Sequence, residues 1–222
     1  MFKIAPEGYP FVLGCALPAL ILAGLAHPAA GATGLCLVLL SLAMTALAGF
    51  MLYFFRDPER CTPDQPAAFI APADGRIIVN QETLETRYFQ ERRRQISIFM
   101  SPANVHVNRA PCAGTVVSTC HNRGRHLAAY RDGASIRNEN SELVLQTRHG
   151  LILVRQVAGL VARRTVCRVK AGDVLKPGAR FGIIKFSSRL DVYLPADCVV
   201  QVAIGDRVRA GETVLAAMPA KG

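Results

Sequence analysis

Two adjacent serines, Ser187 and Ser188, separate two apolar runs near the carboxyl-terminal end of the chain. The run before them ends at Phe186, and residues 190–194 after them alternate as a half-buried strand does. A serine hydroxyl is a weak nucleophile that needs a nearby base before it can attack a carbonyl. Two small hydroxyl residues between strands more often form a simple turn, so composition alone favours a turn here.

Two other residues could take part in chemistry, but each also has an ordinary structural interpretation. Asp74 stands directly before Gly75, a pair that is typical of a turn between short strands. His106 lies on an alternating run, where a histidine is more often structural than catalytic. Neither residue by itself predicts an active site.

Three stretches of the chain resemble, in the same order, the short bacterial type of the phosphatidylserine decarboxylase family. They are A-P-A-D-G at 71–75, F-M-S-P-A-N-V-H-V-N-R-A-P at 99–111 and F-G-I-I-K-F-S-S-R-L-D-V-Y-L-P at 181–195. The stretch R-N-E-N at 137–140 is similar to a further family segment, and the resemblance covers most of residues 50–222. Members of this family are self-cleaving proenzymes that depend on a pyruvoyl group.

The resemblance implies cleavage between Ser187 and Ser188 into a large chain, 1–187, and a small chain, 188–222, that remain together as a heterodimer. Ser188 would become the pyruvoyl group, His106 would supply the base, and Asp74 would fix the histidine tautomer and stabilise the imidazolium. The mature enzyme, a carboxy-lyase, would form a Schiff base with phosphatidylserine, release CO2 and produce phosphatidylethanolamine. This chemistry requires neither a metal ion nor pyridoxal phosphate.

The chain departs from the family pattern at three positions. Ser187 stands where the family usually has glycine, which leaves open slow processing or attack by the other serine. Arg109 stands where the longer branch of the family has a second histidine, so either His106 serves both steps or Arg109 marks a changed mechanism. Arg189 stands where the longer branch has threonine.

The distribution of charge predicts an anionic partner. Residues 56–222 hold 25 basic and 15 acidic residues and therefore carry the whole net charge of +10. Together with an apolar leader, this favours anionic membrane lipid over nucleic acid, for which the chain has no recognition motif. The candidates for binding the substrate or its phosphate are Arg109, Lys185, Arg189, Asn138, Glu139, Arg123, Arg125, Arg163 and Arg164.

The first 55 residues predict a membrane-anchoring helical hairpin. Two uncharged runs, 10–26 and 35–55, are separated by a short connection, and the second is long enough to cross a bilayer. A secretory signal peptide is the competing interpretation, but its basic region would consist of Lys3 alone. Arg56 and Arg60 follow the second run, and the positive-inside rule then places the rest of the chain in the cytoplasm, bound to the cell membrane.

Residues 56–66 are polar and rich in proline and predict a linker, and residues 67–222 predict one catalytic domain. The expected fold is mainly β (α+β), a sandwich or barrel of short strands with dense turns. A Gly-Asp pattern at 169–178 recurs at 202–211 and resembles the barrels of lipoyl and biotinyl carrier domains. Strands are expected at 95–100, 114–119, 141–146, 151–157 and 165–169, a short helix or loop at 83–94, and a loop over the site at 121–140.

The seven cysteines are scattered and odd in number, which predicts neither a disulfide framework nor a zinc site. Two alternatives to phosphatidylserine decarboxylation stay open at this stage. One is a decarboxylase of a different serine lipid, and the other is a membrane-tethered β-barrel adaptor without catalysis. Cleavage into two chains separates the enzyme from the adaptor, while the assembly of higher oligomers is left undecided.

Overall fold

A computed structural model describes residues 3–125, 135, 138–159, 164–185 and 188–219. The chain divides into two units, Met1–Pro58 and Glu59–Gly222. The division falls within the predicted linker, 56–66. A prediction that falls on Ser187, Arg137 or Arg163 lies outside the described residues.

The uncharged amino-terminal runs form two helices, α1 (Tyr9–Ala26) and α2 (Gly31–Phe54), preceded by a 3-10 turn, Pro6–Gly8. Both helices are long and apolar enough to cross a membrane, which suggests membrane association. Apolar side chains cover each helix on all sides, as expected of a helix surrounded by lipid. The helices pack on each other, and Ser41 Oγ donates to the Ala19 carbonyl at 2.8 Å.

Fourteen strands lie within the described residues of the second unit, and the prediction of a mainly β fold is confirmed. The strands are β1 (Ala68–Ile70), β2 (Gly75–Glu85), β3 (Glu91–Met100), β4 (Val107–Arg109), β5 (Gly114–Asn122), β6 (Asn140–Thr147), β7 (Gly150–Ala158), β8 (Thr165–Cys167), β9 (Val174–Leu175), β10 (Arg180–Ile184), β11 (Ser188–Pro195), β12 (Val199–Val200), β13 (Arg207–Val208) and β14 (Val214–Ala217). Eight of them form one curled sheet in the order β13-β2-β3-β11-β7-β6-β5-β9. Two three-stranded sheets, β1-β14-β12 and β4-β10-β8, complete the unit.

The two faces of the large sheet differ in polarity because successive side chains of a strand point to opposite sides. Ile98, Leu190 and Val154 lie on the face that packs into the main core. The other face carries Arg155 and Asp191, which are adjacent across β7 and β11 and are also buried. The strand that begins at Ser188 therefore has an apolar face and a charged face, both excluded from water.

The order of strands in the large sheet is symmetric about the β11–β7 pair, and the residue contacts repeat accordingly. A-P-A-D-G-R-I at 71–77 corresponds to A-P-C-A-G-T-V at 110–116. Gly75 pairs with Val208 as Gly114 pairs with Leu175. The β-bulge between Ile77 and Val79 recurs between Val116 and Ser118. The unit thus contains two copies of one β framework.

The two Gly-Asp segments are equivalent turns of these copies. The carboxylates of Asp173 and Asp206 accept from the backbone N–H three residues earlier, at 2.9 and 2.8 Å. Gly172 and Gly205 have φ of +92° and +100°, a conformation that glycine adopts without steric cost. The repeated motif in the sequence therefore reports a structural duplication.

One copy is inserted into the other. The second copy runs without interruption from β4 to β10, whereas the first consists of β1–β3 and resumes at β11. In the second copy, β6 and β7 are joined by a tight turn between Thr147 and Gly150. The corresponding pair in the first copy, β3 and β11, is separated by the whole insertion. Ser188 is the residue at which the first copy resumes.

Two regions differ from the sequence-based expectation. Residues 83–94 do not form a helix or a loop, because 83–85 continue β2, 91–94 begin β3, and only 86–90 form the connection. This polar hairpin is held by cross-strand pairs such as Arg94–Glu82, 3.1 Å apart. In the predicted loop 121–140, residues 121–122 belong to β5 and residue 140 begins β6, while most of the remainder lies outside the described residues.

Candidate active site

Ser188 is the first residue of β11 and is fully buried. Its backbone pairs with Met100 of β3 on one side and with Ala158 of β7 on the other. Its hydroxyl donates to Met100 Sδ at 3.3 Å, within the apolar core. The serine is therefore fixed by two neighbouring strands at the point where the inserted copy ends.

His106 lies at the other junction of the insertion, just before β4. Its backbone carbonyl accepts from the N–H of Ile184 at 3.3 Å, and the flanking pairs Ile183–Val107 and Ser188–Met100 are both antiparallel. The ring is fully buried, and Nδ1 is 2.9 Å from the carbonyl oxygen of Asn104. Because a carbonyl can only accept, Nδ1 carries the proton and Nε2 is the basic nitrogen.

A rigid turn holds the segment before His106. Asn104 Oδ1 accepts from both the backbone N–H and the hydroxyl of Ser101, at 2.9 and 2.8 Å. The N–H of Asn104 donates to the carbonyl of Ser101 at 3.0 Å. The carbonyl that fixes the histidine tautomer thus belongs to a residue whose side chain is itself fixed.

The pairing of Asp74 with His106 stays a prediction, and the contacts found for Asp74 are with other residues. Both carboxylate oxygens of Asp74 accept from Arg60 Nη2, at 3.1 and 2.9 Å, and Oδ1 also accepts from the N–H of Ala210 at 2.8 Å. Arg60 further contacts Glu212 at 3.3 Å. Asp74 therefore connects the linker to the turn before β14, while the Asn104 carbonyl contacts His106 Nδ1.

Asn138 and Glu139 of the R-N-E-N stretch contact the strand partner of Ser188. The side-chain amide of Asn138 donates to the carbonyl of Ala158, the cross-strand neighbour of Ser188, at 2.7 Å. The carbonyl of Glu139 accepts from the N–H of Ala158 at 2.9 Å. Glu139 Oε1 is 3.6 Å from His121 Nε2. These residues support the end of β7 next to Ser188.

The basic candidates for substrate binding differ in how far they are engaged within the protein. Arg109 is buried and donates to the carbonyl of Gly178 at 3.0 Å. Arg189 is also buried and binds Asp191 Oδ1 at 2.6 Å and Ser97 Oγ at 2.9 Å. Lys185 is partly exposed. The exposed candidates are Arg123, Arg125 and Arg164.

The buried charges behind β11 form one connected network. Arg155 donates to Glu142 at 2.8 Å and to the Tyr193 hydroxyl at 3.0 Å, and Ser135 Oγ lies between Arg155 and Asp191. Burial, reinforced by the negative charge of Asp191, raises the pKa of Tyr193 to about 12. Burial alone would lower the pKa of Arg155, but Tyr193 and Glu142 outweigh it and the pKa is raised. The network thus joins acidic and basic side chains in direct contact behind β11.

Three contributions to the site were not predicted from the sequence. Arg60 was assigned to the membrane flank, Asn104 acts through a backbone carbonyl, and Met100 meets the serine through a strand pairing across the insertion. Two charged residues on the otherwise largely apolar strand β11, Arg189 and Asp191, were the available signal of the buried network. Among the residues that the structure describes, no cluster of three or more His, Cys, Asp or Glu could hold a metal ion.

The chain is similar in sequence to known proteins over nearly its whole length. The sequence profile of the phosphatidylserine decarboxylase family matches residues 47–216. The phosphatidylserine decarboxylase proenzyme of Geobacter metallireducens is 45% identical over 217 residues, 97% of each chain. That of Syntrophotalea carbinolica is 46% identical over 213 residues, 96% of this chain and 95% of the relative. That of Magnetococcus marinus is 40% identical over 219 residues, 98% and 96% of the two chains.

These similarities place the chain in the class of decarboxylases, that is, carboxy-lyases. The chain belongs to the phosphatidylserine decarboxylase proenzyme family. The resemblance stated from the three short motifs is confirmed over nearly the whole chain.

Proposed function

We propose that this protein is a membrane-bound phosphatidylserine decarboxylase that activates itself by cleavage between Ser187 and Ser188. The proposal rests on the two ends of the inserted copy, where the chain enters it near His106 and leaves it at Ser188. Ile184, four residues before Ser188, donates to the His106 carbonyl, and Ser188 itself is paired with Met100, six residues before that histidine. These contacts support Ser188 as the nucleophile and His106 as its base.

The cleavage would begin with attack of Ser188 Oγ on the carbonyl carbon of residue 187. His106 Nε2 would accept the hydroxyl proton, while Asn104 holds Nδ1 in the protonated form. The C–N bond breaks as the amine is protonated, and the peptide becomes an ester. Loss of the Cα proton and of the carboxylate of residue 187 then leaves a dehydroalanine at 188. Its imine tautomer takes up water, releases ammonia and becomes the pyruvoyl group.

The residues around Ser188 fit a pyruvoyl group at the new amino terminus. Residue 188 is fully buried, and strand β11 is paired along its length with β3 and, through residue 193, with β7. The small chain of 35 residues would therefore remain within the sheet after cleavage. Both chains of the heterodimer would contribute to the same core.

The pyruvoyl group supplies Schiff-base chemistry, in which a ketone condenses with the serine amine and accepts the electron pair left by CO2. His106 is the residue that can hold or deliver a proton next to that group. Asp74 acts as a positioning residue, since its carboxylate is engaged by Arg60 and the Ala210 N–H. The product is phosphatidylethanolamine. The helices α1 and α2 anchor the enzyme, and the catalytic unit lies on the cytoplasmic side of the cell membrane.

The test is decarboxylation of phosphatidylserine by the purified full chain in detergent, followed as phosphatidylethanolamine formed. We expect activity in the wild type, none in Ser188→Ala, and full activity in the matched control Ser118→Ala, whose serine lies on β5. His106→Gln should slow cleavage by about 100-fold to 10,000-fold, the usual contribution of a positioned base. Activity that persists in Ser188→Ala would contradict the proposal. Activity on another serine lipid but not on phosphatidylserine would show that the substrate is that other lipid.

A further inference from the structure

The two copies of the β framework each form one cavity at the same place, and the facing strand pair in the first cavity carries two arginines that the second lacks. The first cavity, of about 540 Å³, lies between β2, β13 and the turn 101–104. Its counterpart in the second copy, of about 390 Å³, lies between β5, β9 and the turn 147–149. The corresponding positions can be compared directly because both cavities are built on the same strand pairs.

The comparison shows what the framework itself requires. Arg76 and Arg207 are directly opposite each other across β2 and β13. In the second copy the equivalent pair across β5 and β9 is Thr115 and Val174. The same backbone geometry therefore forms without any charge at these positions. Arg76 and Arg207 are therefore not needed to form this strand pair.

Arg76 and Arg207 are exposed like charges on neighbouring strands, and a bound anion would relieve their mutual repulsion. Like charges directly opposite on neighbouring strands destabilise a sheet. Neither arginine forms an ion pair within the described part of the chain. A third arginine, Arg209, lies on the same cavity wall, and its contact with Glu212 is long, at 3.9 Å. The carboxylate of Asp74 on that wall is already neutralised by Arg60.

The cavity is also connected to the proposed reaction centre. Its remaining wall includes Ser101 and Asn104, which belong to the turn between Met100 and His106. Met100 is the strand partner of Ser188, and Asn104 fixes the His106 ring. An anion held by the arginines would thus lie against the segment that positions both reacting residues.

We propose that this cavity, defined by Arg76, Arg207 and Arg209, binds the phosphodiester of the substrate headgroup. Guanidinium groups suit this ligand because they donate two parallel hydrogen bonds to a phosphate and keep their charge at all physiological pH values. The inference rests on the proposed function, since it names the subsite that would hold the phospholipid for decarboxylation. Free inorganic phosphate presents the same chemistry and must be distinguished by experiment.

The test is calorimetric titration of the processed full chain in detergent with glycerophosphoethanolamine, the water-soluble product headgroup. Arg76→Gln and Arg207→Gln should each weaken binding by roughly 10-fold to 100-fold, the usual effect of losing a charged hydrogen-bonding partner. The control Arg92→Gln removes the same charge from an exposed position on β3, outside the cavity, and should bind as the wild type does. With phosphatidylserine as substrate, the two cavity variants should raise KM at unchanged kcat.

Three results would overturn the proposal. They are unchanged binding in both cavity variants, equal losses in all three variants, and inorganic phosphate binding as tightly as the headgroup compound. Binding to anionic vesicles without binding to the soluble headgroup would instead identify a membrane-surface contact and also overturn it. Intact mass is recorded for every variant. Uncleaved wild-type chain would refute the proposed function, whereas arginine-independent binding by fully cleaved chain refutes only the cavity assignment.

Discussion

Replacing Arg189 with methionine should destabilise the catalytic unit strongly, because it removes one partner of a buried ion pair. Arg189 Nε lies 2.6 Å from Asp191 Oδ1, and the two side chains are 7% and 0% exposed. The substitution leaves the Asp191 carboxylate buried without its cation, and such losses cost about 3–5 kcal/mol. For a chain of this size 1 kcal/mol shifts Tm by about 2–4 °C, so Tm should fall by roughly 6–20 °C.

The double variant Arg189→Met/Asp191→Leu should recover most of that loss, since replacing a whole buried pair by apolar residues is often neutral. Tm can be followed in detergent with a dye that fluoresces on reacting with thiols, because Cys112 and Cys198 are buried and become accessible on unfolding. A Tm for Arg189→Met within about 2 °C of the wild type would refute the assignment of this pair as a structural one.

The same residue was a sequence-based candidate for binding the substrate, and Arg189→Lys separates the two functions. Lysine keeps the charge near Asp191 but cannot reproduce the contact of Nη2 with Ser97, 2.9 Å long. If Arg189 is structural, Arg189→Lys should lower Tm moderately and leave KM unchanged. A raised KM at an unchanged Tm would instead assign Arg189 to the substrate.

Three further predictions follow from the described contacts. Because burial raises the pKa of Tyr193 to about 12, its contribution to stability is complete below about pH 10 and is lost as pH rises towards 12, by roughly 2–3 kcal/mol. Burial also raises the pKa of Tyr88 to about 12, so the absorbance titration of Tyr193→Phe should lose one of two late-titrating tyrosines, and an unchanged titration would contradict the prediction. Burial likewise raises the pKa of Cys112 to about 12, so a thiol reagent at pH 8 should modify the exposed Cys61 and leave Cys112 unmodified until the protein unfolds, as peptide mapping would reveal. Asp74→Asn and Arg60→Met should lower Tm to similar extents and leave cleavage intact by gel analysis, whereas loss of cleavage in Asp74→Asn alone would assign Asp74 a direct catalytic function.

Much of the β structure could be predicted because its strands alternate in polarity along the sequence. Residues 141–146 and 151–157 belong to β6 and β7, which extend only slightly beyond these limits. The hairpin at 83–94 was not predicted, because its strands run beyond the core and expose polar residues and Leu84. Because the hairpin has no buried apolar face, its sequence shows no apolar alternation to recognise.

The duplication was only partly visible in the sequence. The Gly-Asp turns at 172–173 and 205–206 lie in segments with the same residue pattern and could be matched directly. The remaining equivalences, such as Gly75 with Gly114, are concealed because one copy interrupts the other and the strands have diverged in sequence. The pairing of Arg60 with Asp74 was equally hidden, since charge alone does not specify which of many acidic residues an arginine contacts.

The most direct test of the account is the intact mass of the purified full chain, compared with that of Ser188→Ala. We predict two chains from the wild type, 1–187 and 188–222, with a pyruvoyl group in place of a free serine at the amino terminus of the small chain. Ser188→Ala should remain a single chain of full mass. Wild-type protein that is folded, by its native Tm, yet persists as one uncleaved chain would contradict the self-cleavage on which the proposed function depends.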